Sequence, residues 1–360
     1  METNDLGRRA KARLELLAKE ADSRLEKYWE EEIASNFGFN QSQKELIRKM
    51  LLHAKEHNLR KAKRIRASFI YYSFLLGGIK SDERVWRAAE AVELVHTALL
   101  MHDDFMDRDL VRRGLPTTQV FFANGDEHYG DSMAVNVGDA VLCLGFERLL
   151  TSGFDSEKVN NAMKQFLRGI TNTAYGQAYD TSLPKLGDMS EEKVMSLHRA
   201  KTAIYTYENP LLIGGILSGL NRETMDVLHD YSVDAGIAFQ LQDDVLGVYG
   251  DEEKTGKSAN SDLLQGKVTL LVSKTMEIGS KEQKIDLMRV WGKLDANKNE
   301  IEVAKKAIKE SGSYKYSVEV ARNYAKRASG SVAKLHGIGL NEEAVNYLEG
   351  IALYMVEREV

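Results

Sequence analysis

Residues 94–117 read LVHTALLMHDDFMDRDLVRRGLPT. The apolar residues from Leu94 to Leu100 have helical periodicity, and the acidic run that follows places Asp103 and Asp107 four residues apart. Two carboxylates at this spacing share one helix face and repel each other. They also lie at the helix end where the dipole disfavours negative charge. The segment therefore predicts a helix that ends at a cation site, and carboxylate plus phosphate oxygens are what Mg²⁺ prefers.

A second stretch repeats this arrangement. Residues 233–250 read VDAGIAFQLQDDVLGVYG, in which Asp243 and Asp244 again end an apolar helix. One such cluster alone would equally fit an acidic, solvated helix end. Two clusters are expected to face each other across a helical bundle, because bundles build metal sites from side chains on facing helices.

The rest of the sequence favours helices throughout. Only 3 of the 360 residues are proline, which breaks helix interiors, and no run of alternating strands stands out. We predict an all-α fold in a single domain, 1–360, with an N-terminal helical extension over 1–40 and a motif-bearing core over about 60–270. Two loops, 112–130 and 250–267, follow the aspartate clusters. The predicted helices lie at about 6–34, 41–57, 64–79, 82–108, 131–152, 155–181, 190–219, 222–249, 262–279, 297–312, 315–334 and 340–358.

The charge distribution indicates a local anion site. The net charge of −5 at pH 7 gives no broad basic excess for nucleic acid. Basic side chains nevertheless accompany the acidic clusters, and Arg and Lys bind phosphate through charge-assisted hydrogen bonds. Any one of them alone would fit a solvated surface charge, but together they predict two diphosphates, one bound through metal and one directly. These basic residues are Lys63, Arg64, Arg66, Arg112, Arg113, Lys201, Lys257 and Lys267.

The remaining composition bears on location. The single cysteine, Cys143, excludes an internal disulfide framework and lies in an apolar helical stretch, so we predict it in the core. The N-terminal residues METNDLGRRAKARLELL lack the apolar region of a signal peptide, and no apolar run reaches the length of about 18 residues that a membrane span needs. We expect a cytoplasmic protein without a membrane span.

The sequence resembles the trans-isoprenyl diphosphate synthases. HDDFMDRDLVRRGLPT at 102–117 and FQLQDDVLGVYGDEEKTGK at 239–257 resemble the two aspartate-rich motifs of that family. HYGDSMAVNVGDAVL at 128–142, GQAYD at 176–180 and Lys201-Thr202 follow in the family's order. The resemblance implies a helical bundle of the isoprenoid synthase type with a central active-site cavity.

The resemblance also implies an activity. It is the Mg²⁺-dependent, head-to-tail condensation of isopentenyl diphosphate with an allylic diphosphate, which gives an all-trans polyprenyl diphosphate and releases diphosphate. The family further implies about three Mg²⁺ ions per active site and a homodimer. No obvious general base is present, so the released diphosphate is expected to take the proton.

The family's roles carry over onto matching positions. The residues that would hold metal are Asp103, Asp107, Asp243 and Asp244. Those that would bind the allylic diphosphate are Arg112, Lys201 and Lys257, with Lys267 in the same loop as a further substrate-binding residue. Those that would bind isopentenyl diphosphate are Lys63, Arg66, His96 and Arg113. Oxygens of Thr202 and Gln240 would face the reacting carbons, with Lys201 beside them as the third catalytic residue, and Gln177 and Asp180 would stand behind the site.

The sequence departs from the family's pattern at three places. Lys61 and Ala62 replace the glycine pair before Lys63, and Ala67 replaces a proline, so the isopentenyl site is expected to have a different shape. Gly247 stands where many members have a third aspartate, and we do not expect it to bind metal.

Two residues before the first cluster are expected to set the product length. Ala98 and Leu99 lie five and four positions before Asp103, near its helix face, where bulky aromatics shorten the product in this family. Neither is aromatic, so we predict a C20 product, geranylgeranyl diphosphate, with a longer polyprenyl diphosphate as the alternative. Ala98 could instead serve only close helix packing.

Two other functions compete with this hypothesis. A class I terpene cyclase also ionises an allylic diphosphate, but it would not need a second diphosphate site such as Lys63, Arg66 and Arg113 predict. A catalytically silent regulatory subunit should have lost one aspartate cluster, and both are intact.

Overall fold

The structure is a computed structural model that describes residues 3–35, 38–186, 189–250 and 260–357. Across these ranges the chain is 80% helical with almost no sheet, which confirms the predicted all-α fold. None of the helices described there combines the length and apolar character that a membrane crossing requires. The cytoplasmic location stays a prediction.

The elements follow one another with short connections. In chain order they are α1 (Thr3–Ile33), α2 (Gln41–Leu59), α3 (Ile65–Leu76), α4 (Glu83–Asp107), β1 (Val111–Arg112), β2 (Leu115–Pro116), α5 (Thr118–Ala123), α6 (Glu127–Leu150), α7 (Ser156–Leu186), α8 (Glu191–Leu197), a π-helix (His198–Glu208), α9 (Asn209–Ser218), α10 (Arg222–Tyr249), α11 (Ser261–Leu264), α12 (Leu270–Ile278), α13 (Lys281–Met288), α14 (Lys298–Glu310), α15 (Ser313–Ala333) and α16 (Glu342–Val356).

Most predicted helices are confirmed within a few residues, but two differ. The helix predicted over 190–219 is interrupted by the π-helix, which periodicity at 3.6 residues cannot reveal. The helix predicted over 262–279 is broken into two, α11 (Ser261–Leu264) and α12 (Leu270–Ile278). The chain turns at Gly266, whose φ of +73° is costly for other residues, and the Thr269 side chain then caps the new helix.

The loop predicted over 112–130 contains ordered structure. Strands β1 and β2 pair antiparallel, and the two residues between them, Arg113 and Gly114, both have positive φ, +54° and +78°. Two-residue hairpin turns with the twist of the flanking strands require such backbone angles. The Arg-Arg-Gly sequence therefore encodes a tight turn as well as charge, and α5 follows it directly.

The chain forms two compact units. The first unit is Ala12–Met163 with Ile213–Gly219, and the second unit is Met1–Lys11, Lys164–Leu212 and Leu220–Val360. The single domain expected from the sequence stays a prediction. The first aspartate cluster belongs to the first unit and the second cluster to the second unit.

Close packing of α4 against α6 organises the first unit. A Cβ added to Gly145 of α6 would lie 2.5 Å from Val95 Cγ2 of α4, and one added to Gly138 would strike the ring of His102. These glycines lie seven residues apart on one face of α6. The helix that carries the first aspartate cluster is thus fixed along its length.

Cys143 was expected in the core, but this prediction is wrong because its side chain is exposed. The buried face of α6 passes through Val137, Val141 and Gly145, and Cys143 points to another side of the helix. Apolar residues occur around the whole of α6, so periodicity could not identify its buried face.

Two glycines hold the π-helix of the second unit. A Cβ added to Gly176 of α7 would lie 2.9 Å from the backbone nitrogen of Lys201, and one added to Gly236 of α10 would lie 2.5 Å from Ala203 Cβ. These close contacts fix the position of the π-helix backbone at Lys201 and its neighbours. Turns of this kind are rare and concentrate at functional sites.

We expect Gly236→Ala to lower the free energy of unfolding by about 1–3 kcal/mol, because the added methyl group overpacks a contact with backbone atoms. Gly330→Ala is the matched control, since a Cβ at that helical position meets nothing within 4 Å. It should stabilise the chain by about 0.5–1 kcal/mol. Urea unfolding of both variants measures the difference, and equal effects would contradict close packing of Gly236 against the π-helix.

Candidate functional site

The end of α4 is fastened so that the first aspartate cluster has a defined geometry. The backbone N–H of Asp109 donates to the Asp104 carbonyl at 2.9 Å. The side-chain amide of Gln119 donates to the carbonyls of Asp104 at 3.1 Å and Asp109 at 2.7 Å. The last carbonyls of a helix need such partners, so α5, which carries Gln119, closes the helix end.

The two adjacent aspartates of this cluster have different surroundings. Asp104 is completely buried, whereas Asp103 and Asp107 are half-buried. Arg112 donates through Nε and Nη2 to Asp104, and its Nη2 lies 3.6 Å from Asp103 Oδ2. Burial nevertheless raises the pKa of Asp104 to about 6, because the loss of hydration outweighs the effect of Arg112.

Arg60, which we did not predict, fastens the hairpin that carries Arg112 and Arg113. Its guanidinium donates to the carbonyls of Arg112 at 3.0 Å and Pro116 at 2.8 Å, and to the Glu56 carboxylate at 2.8 Å. Arg113 in turn donates to the Arg60 carbonyl at 3.1 Å. The hairpin and the end of α2 therefore hold each other through both side chains and backbone.

The basic residues near the start of α3 differ in their contacts and exposure. Arg64 has a left-handed backbone, φ +52°, and its buried guanidinium donates to Glu93 at 3.1 Å and Asp22 at 2.7 Å. This arginine therefore supports the fold. The two predicted isopentenyl ligands beside it differ in exposure, because Lys63 is exposed and Arg66 is half-buried.

The first unit concentrates positive charge around His96. The pKa of His96 is lowered well below its ordinary value by burial and by the charges of Arg66, Arg113, Arg112 and Arg64. Burial and the neighbouring arginines also lower the pKa of Arg113 to about 10. Cations that disfavour one another's charge mark a place that an anion would stabilise, and this place adjoins the carboxylate of Asp103.

In the second unit, a hydrogen-bond chain runs from the π-helix into the second aspartate cluster. Thr202 Oγ1 donates to Gln240 Oε1 at 2.6 Å, and Gln240 Nε2 donates to Asp244 Oδ1 at 2.7 Å. The other oxygen of Asp244 lies 3.2 Å from His198 Nε2. Asp244 is buried and Asp243 half-buried, so the adjacent aspartates differ here as well.

The other predicted residues of this unit occupy several surroundings. Lys201 pairs with Asp180 at 2.7 Å, and Gln177 is buried on the same helix as Asp180. Lys267 lies 3.6 Å from Asp262. Lys257 falls outside the described residues.

The glycine that departs from the family's motif has a structural reason. A Cβ at Gly247 would lie 2.6 Å from Asp262 Oδ2. A side chain at this position would therefore require the Asp262 carboxylate to shift. The backbone N–H of Asn260 also donates to the Gly247 carbonyl at 2.9 Å, so the chain returns closely to α10 at this point.

The carboxylates fit Mg²⁺ by their chemistry and spacing. Asp103 and Asp107 share a face of α4, and carboxylate oxygens are ligands that Mg²⁺ accepts. Within the described ranges, no group of three His, Cys, Asp or Glu side chains is close enough to hold a metal ion alone. Mg²⁺ is commonly bound by one or two carboxylates together with substrate phosphates, and the half-buried aspartates suit that mode.

Comparison with known proteins identifies the family. A model described as Polyprenyl synthetase matches residues 48–310, which is most of the chain. The chain belongs to the polyprenyl synthetase family. It is therefore a prenyltransferase, an isoprenyl diphosphate synthase.

Relatives of this synthase support the assignment along most of its length. A geranylgeranyl diphosphate synthase from Saccharolobus solfataricus is 34% identical over 289 residues, covering 79% of this chain and 83% of that protein. A geranylfarnesyl diphosphate synthase from Aeropyrum pernix is 32% identical over 287 residues, covering 79% and 86%. The solved structure of a Corynebacterium glutamicum geranylgeranyl pyrophosphate synthase, complexed with isoprenyl diphosphate and magnesium, has a TM-score of 0.84 at 26% identity and covers 100% of both chains.

Four residues close to the predicted site were not identified from the sequence. His57 lies in the last turn of α2 and Arg60 directly follows that helix. Both are outside the motifs and approach Asp104 and the hairpin only through the tertiary fold. Asp104 was not predicted because the prediction used the four-residue spacing of Asp103 and Asp107, which places those two on one helix face. His198 stands three residues before Lys201, and this spacing was the one signal that could have drawn attention to it.

The two predicted chain-length residues lie at different depths in α4. Ala98 is fully buried and belongs to an apolar cluster with Leu94, Met101, Val137 and Val141. Leu99 is only half-buried. Both the chain-length role and the packing role of Ala98 are compatible with this position.

Proposed function

We propose that this synthase condenses isopentenyl diphosphate with an allylic diphosphate and makes geranylgeranyl diphosphate. The arginine cluster around His96, beside the half-buried Asp103, is the observation that carries the proposal. It offers one unit of the enzyme both a direct anion site and a carboxylate for metal. The printed description of the Corynebacterium glutamicum relative, with isoprenyl diphosphate and magnesium bound, supports the same substrates.

We propose that Asp103 and Asp107 hold Mg²⁺ in the first unit and that Asp243 does so in the second, with about three ions in all. Mg²⁺, when bound, would neutralise the negative charge that develops on the departing diphosphate. Arg112 lies 3.6 Å from Asp103, so its guanidinium can reach the same phosphate oxygens. We assign Lys201 and Lys257 to the allylic diphosphate as well, and Lys267 to substrate binding.

The side-chain oxygens of Thr202 and Gln240 would stabilise the positive charge on the allylic carbons. Thr202 Oγ1 donates a hydrogen bond to Gln240 Oε1, which leaves the lone pairs of the hydroxyl oxygen and one lone pair of the amide oxygen available to an electron-poor carbon. Such preorganised dipoles cost little reorganisation during reaction. The proton lost after condensation would leave with the released diphosphate, since no side chain is assigned as its base.

The residues assigned to isopentenyl diphosphate are Lys63, Arg66, His96 and Arg113, and Gln177 and Asp180 would stand behind the site. The low pKa of His96 indicates a neutral imidazole, which binds phosphate as a hydrogen-bond donor. Arg113 retains its charge at neutral pH because its pKa of about 10 is still high.

The proposed reaction is tested by diphosphate release from farnesyl diphosphate with Mg²⁺, in the presence and absence of isopentenyl diphosphate. Release should require both substrates, and chromatography should show a C20 product. Release without isopentenyl diphosphate would instead indicate a terpene cyclase, and excess chelator should abolish activity.

We expect Asp103→Ala and Asp243→Ala to lower turnover by a factor of about 100 or more with the fold retained, because each removes a carboxylate that positions metal. Asp226→Ala is the matched control. This aspartate lies on the same helix as Asp243 but is exposed and pairs with Arg222, so turnover should not change. Near-normal turnover in either site variant, measured alongside circular dichroism, would refute the metal assignment.

We propose that Ala98, with Leu99, leaves room for a C20 chain. Ala98→Phe should shift products towards C15 while isopentenyl diphosphate is still consumed, because the larger ring fills space one turn and more below Asp103. Leu16→Phe is a control on an exposed apolar position of α1. An unchanged product distribution in Ala98→Phe would assign this alanine to helix packing, and a longer wild-type product would favour a longer-chain synthase.

We also propose that the synthase is a homodimer, on the basis of its family. Exposed apolar side chains of the first unit, including Val111, Phe121 and Val135, are compatible with a partner surface. Sedimentation at micromolar concentration should give twice the 40.5 kDa chain mass. A monomer throughout that range would count against the dimer.

A further inference from the structure

We propose that two histidines outside the assigned site, His57 and His198, are positioning residues. Each holds the second aspartate of one Asp-Asp pair, Asp104 or Asp244, so that this carboxylate in turn orients a substrate-facing side chain. The inference rests on the proposed function and adds the residues that keep its site in shape.

The first unit contains one such pair. His57 Nε2 lies 3.6 Å from Asp104 Oδ2, and the two side chains are 1% and 0% exposed. Neither nitrogen of His57 nor this carboxylate oxygen has a hydrogen-bond partner among the residues that the structure describes. Buried polar atoms are costly unless paired, and here two such atoms face each other. The remaining oxygen, Asp104 Oδ1, accepts from Arg112.

The second unit repeats the arrangement. His198 Nε2 lies 3.2 Å from Asp244 Oδ2, and both side chains are 6% exposed. These two atoms also lack a well-aligned partner within the described part of the chain. The other oxygen, Asp244 Oδ1, accepts from Gln240, which accepts from Thr202.

The two His–Asp pairs therefore have the same arrangement of contacts. One carboxylate oxygen holds a residue that we assign to the substrate, Arg112 or Gln240, and the other faces a buried imidazole. A neutral imidazole carries one N–H donor, and hydrogen bonds at active sites are often long before ligands bind and shorten afterwards. We infer that Nε2–H of each histidine donates to the carboxylate in the loaded site. Asp244 is thereby assigned to positioning, and Asp243 remains the carboxylate presented to metal.

The two histidines should affect different steps. His198 acts through Asp244 on Gln240 and Thr202, whose oxygens matter where positive charge develops, so its loss should lower kcat with little change in KM. His57 acts through Asp104 on Arg112, so its loss should weaken diphosphate binding. Partners that orient a metal or substrate ligand are worth roughly 10- to 100-fold.

The test at His198 compares two variants of similar size. His198→Leu removes the donor and should lower kcat roughly 10- to 100-fold, whereas His198→Gln retains an N–H near the Nε2 position and should recover most of the loss. His229→Leu is the matched control, because His229 braces the other end of the π-helix through Glu208 at 3.3 Å. Its kcat should stay near that of wild type.

The test at His57 uses binding instead of turnover. Calorimetry with inorganic diphosphate and Mg²⁺ should show at least tenfold weaker binding for His57→Leu and near-normal binding for His57→Gln. His53→Leu is the control. His53 is buried one turn away on α2, but its Nε2 lies 3.1 Å from Thr118 Oγ1 and its ring stacks on Phe121.

A direct measurement on wild type covers the case in which a leucine variant fails to fold. Imidazole ¹⁵N NMR with Mg²⁺ and inorganic diphosphate should show Nε2 as the protonated nitrogen of both rings. Protonation at Nδ1, or Leu and Gln variants that behave alike, would overturn the proposal. Failure of the proposed function would appear separately, as wild type that releases no diphosphate in the presence of both substrates.

Discussion

Asp104 has no exposed surface, and a buried carboxylate is stable only where its neighbours replace the lost water. The first unit is organised around this requirement. Arg112 reaches Asp104 because the hairpin turns tightly at Arg113 and Gly114, and the hairpin stays in place because Arg60 binds its carbonyls. The pKa of Asp104 is still raised to about 6, so the compensation is incomplete. The same contacts that reduce this cost also aim two arginines at one place.

The second unit meets a similar requirement with backbone packing. Asp244 is buried among Gln240 and His198, and His198 belongs to the π-helix. That helix can lie this close to α10 only because Gly236 has no side chain. In this unit a glycine and an unusual helical turn bring the hydrogen-bonding groups together, whereas in the first unit arginine side chains reach across to backbone carbonyls.

The sequence was sufficient for the features that depend on local spacing. Most helices and the shared face of Asp103 and Asp107 follow from residues a few positions apart. It was insufficient where the backbone conformation or the tertiary fold determines which partner a side chain contacts. Arg64 is adjacent to Lys63 and has similar chemistry, but its left-handed conformation directs it inwards to Glu93. Arg60 and His57 touch the motifs only through the tertiary fold, and no sequence interval marks such contacts.

The remaining charge imbalance links this architecture to function. Arg113 and His96 have lowered pKa values because burial and neighbouring arginines disfavour added positive charge. Glu93 and Asp104 pair with two of these arginines, Arg64 and Arg112. Asp103 and Asp107 instead stay half-buried at the end of a helix, where the dipole also opposes them. Holding cations beside one another in a partly buried place costs stability in the free enzyme. In the proposed function, a diphosphate with its metal ions would bring negative charge to the arginines and positive charge to the carboxylates, so binding of substrate would offset part of this cost.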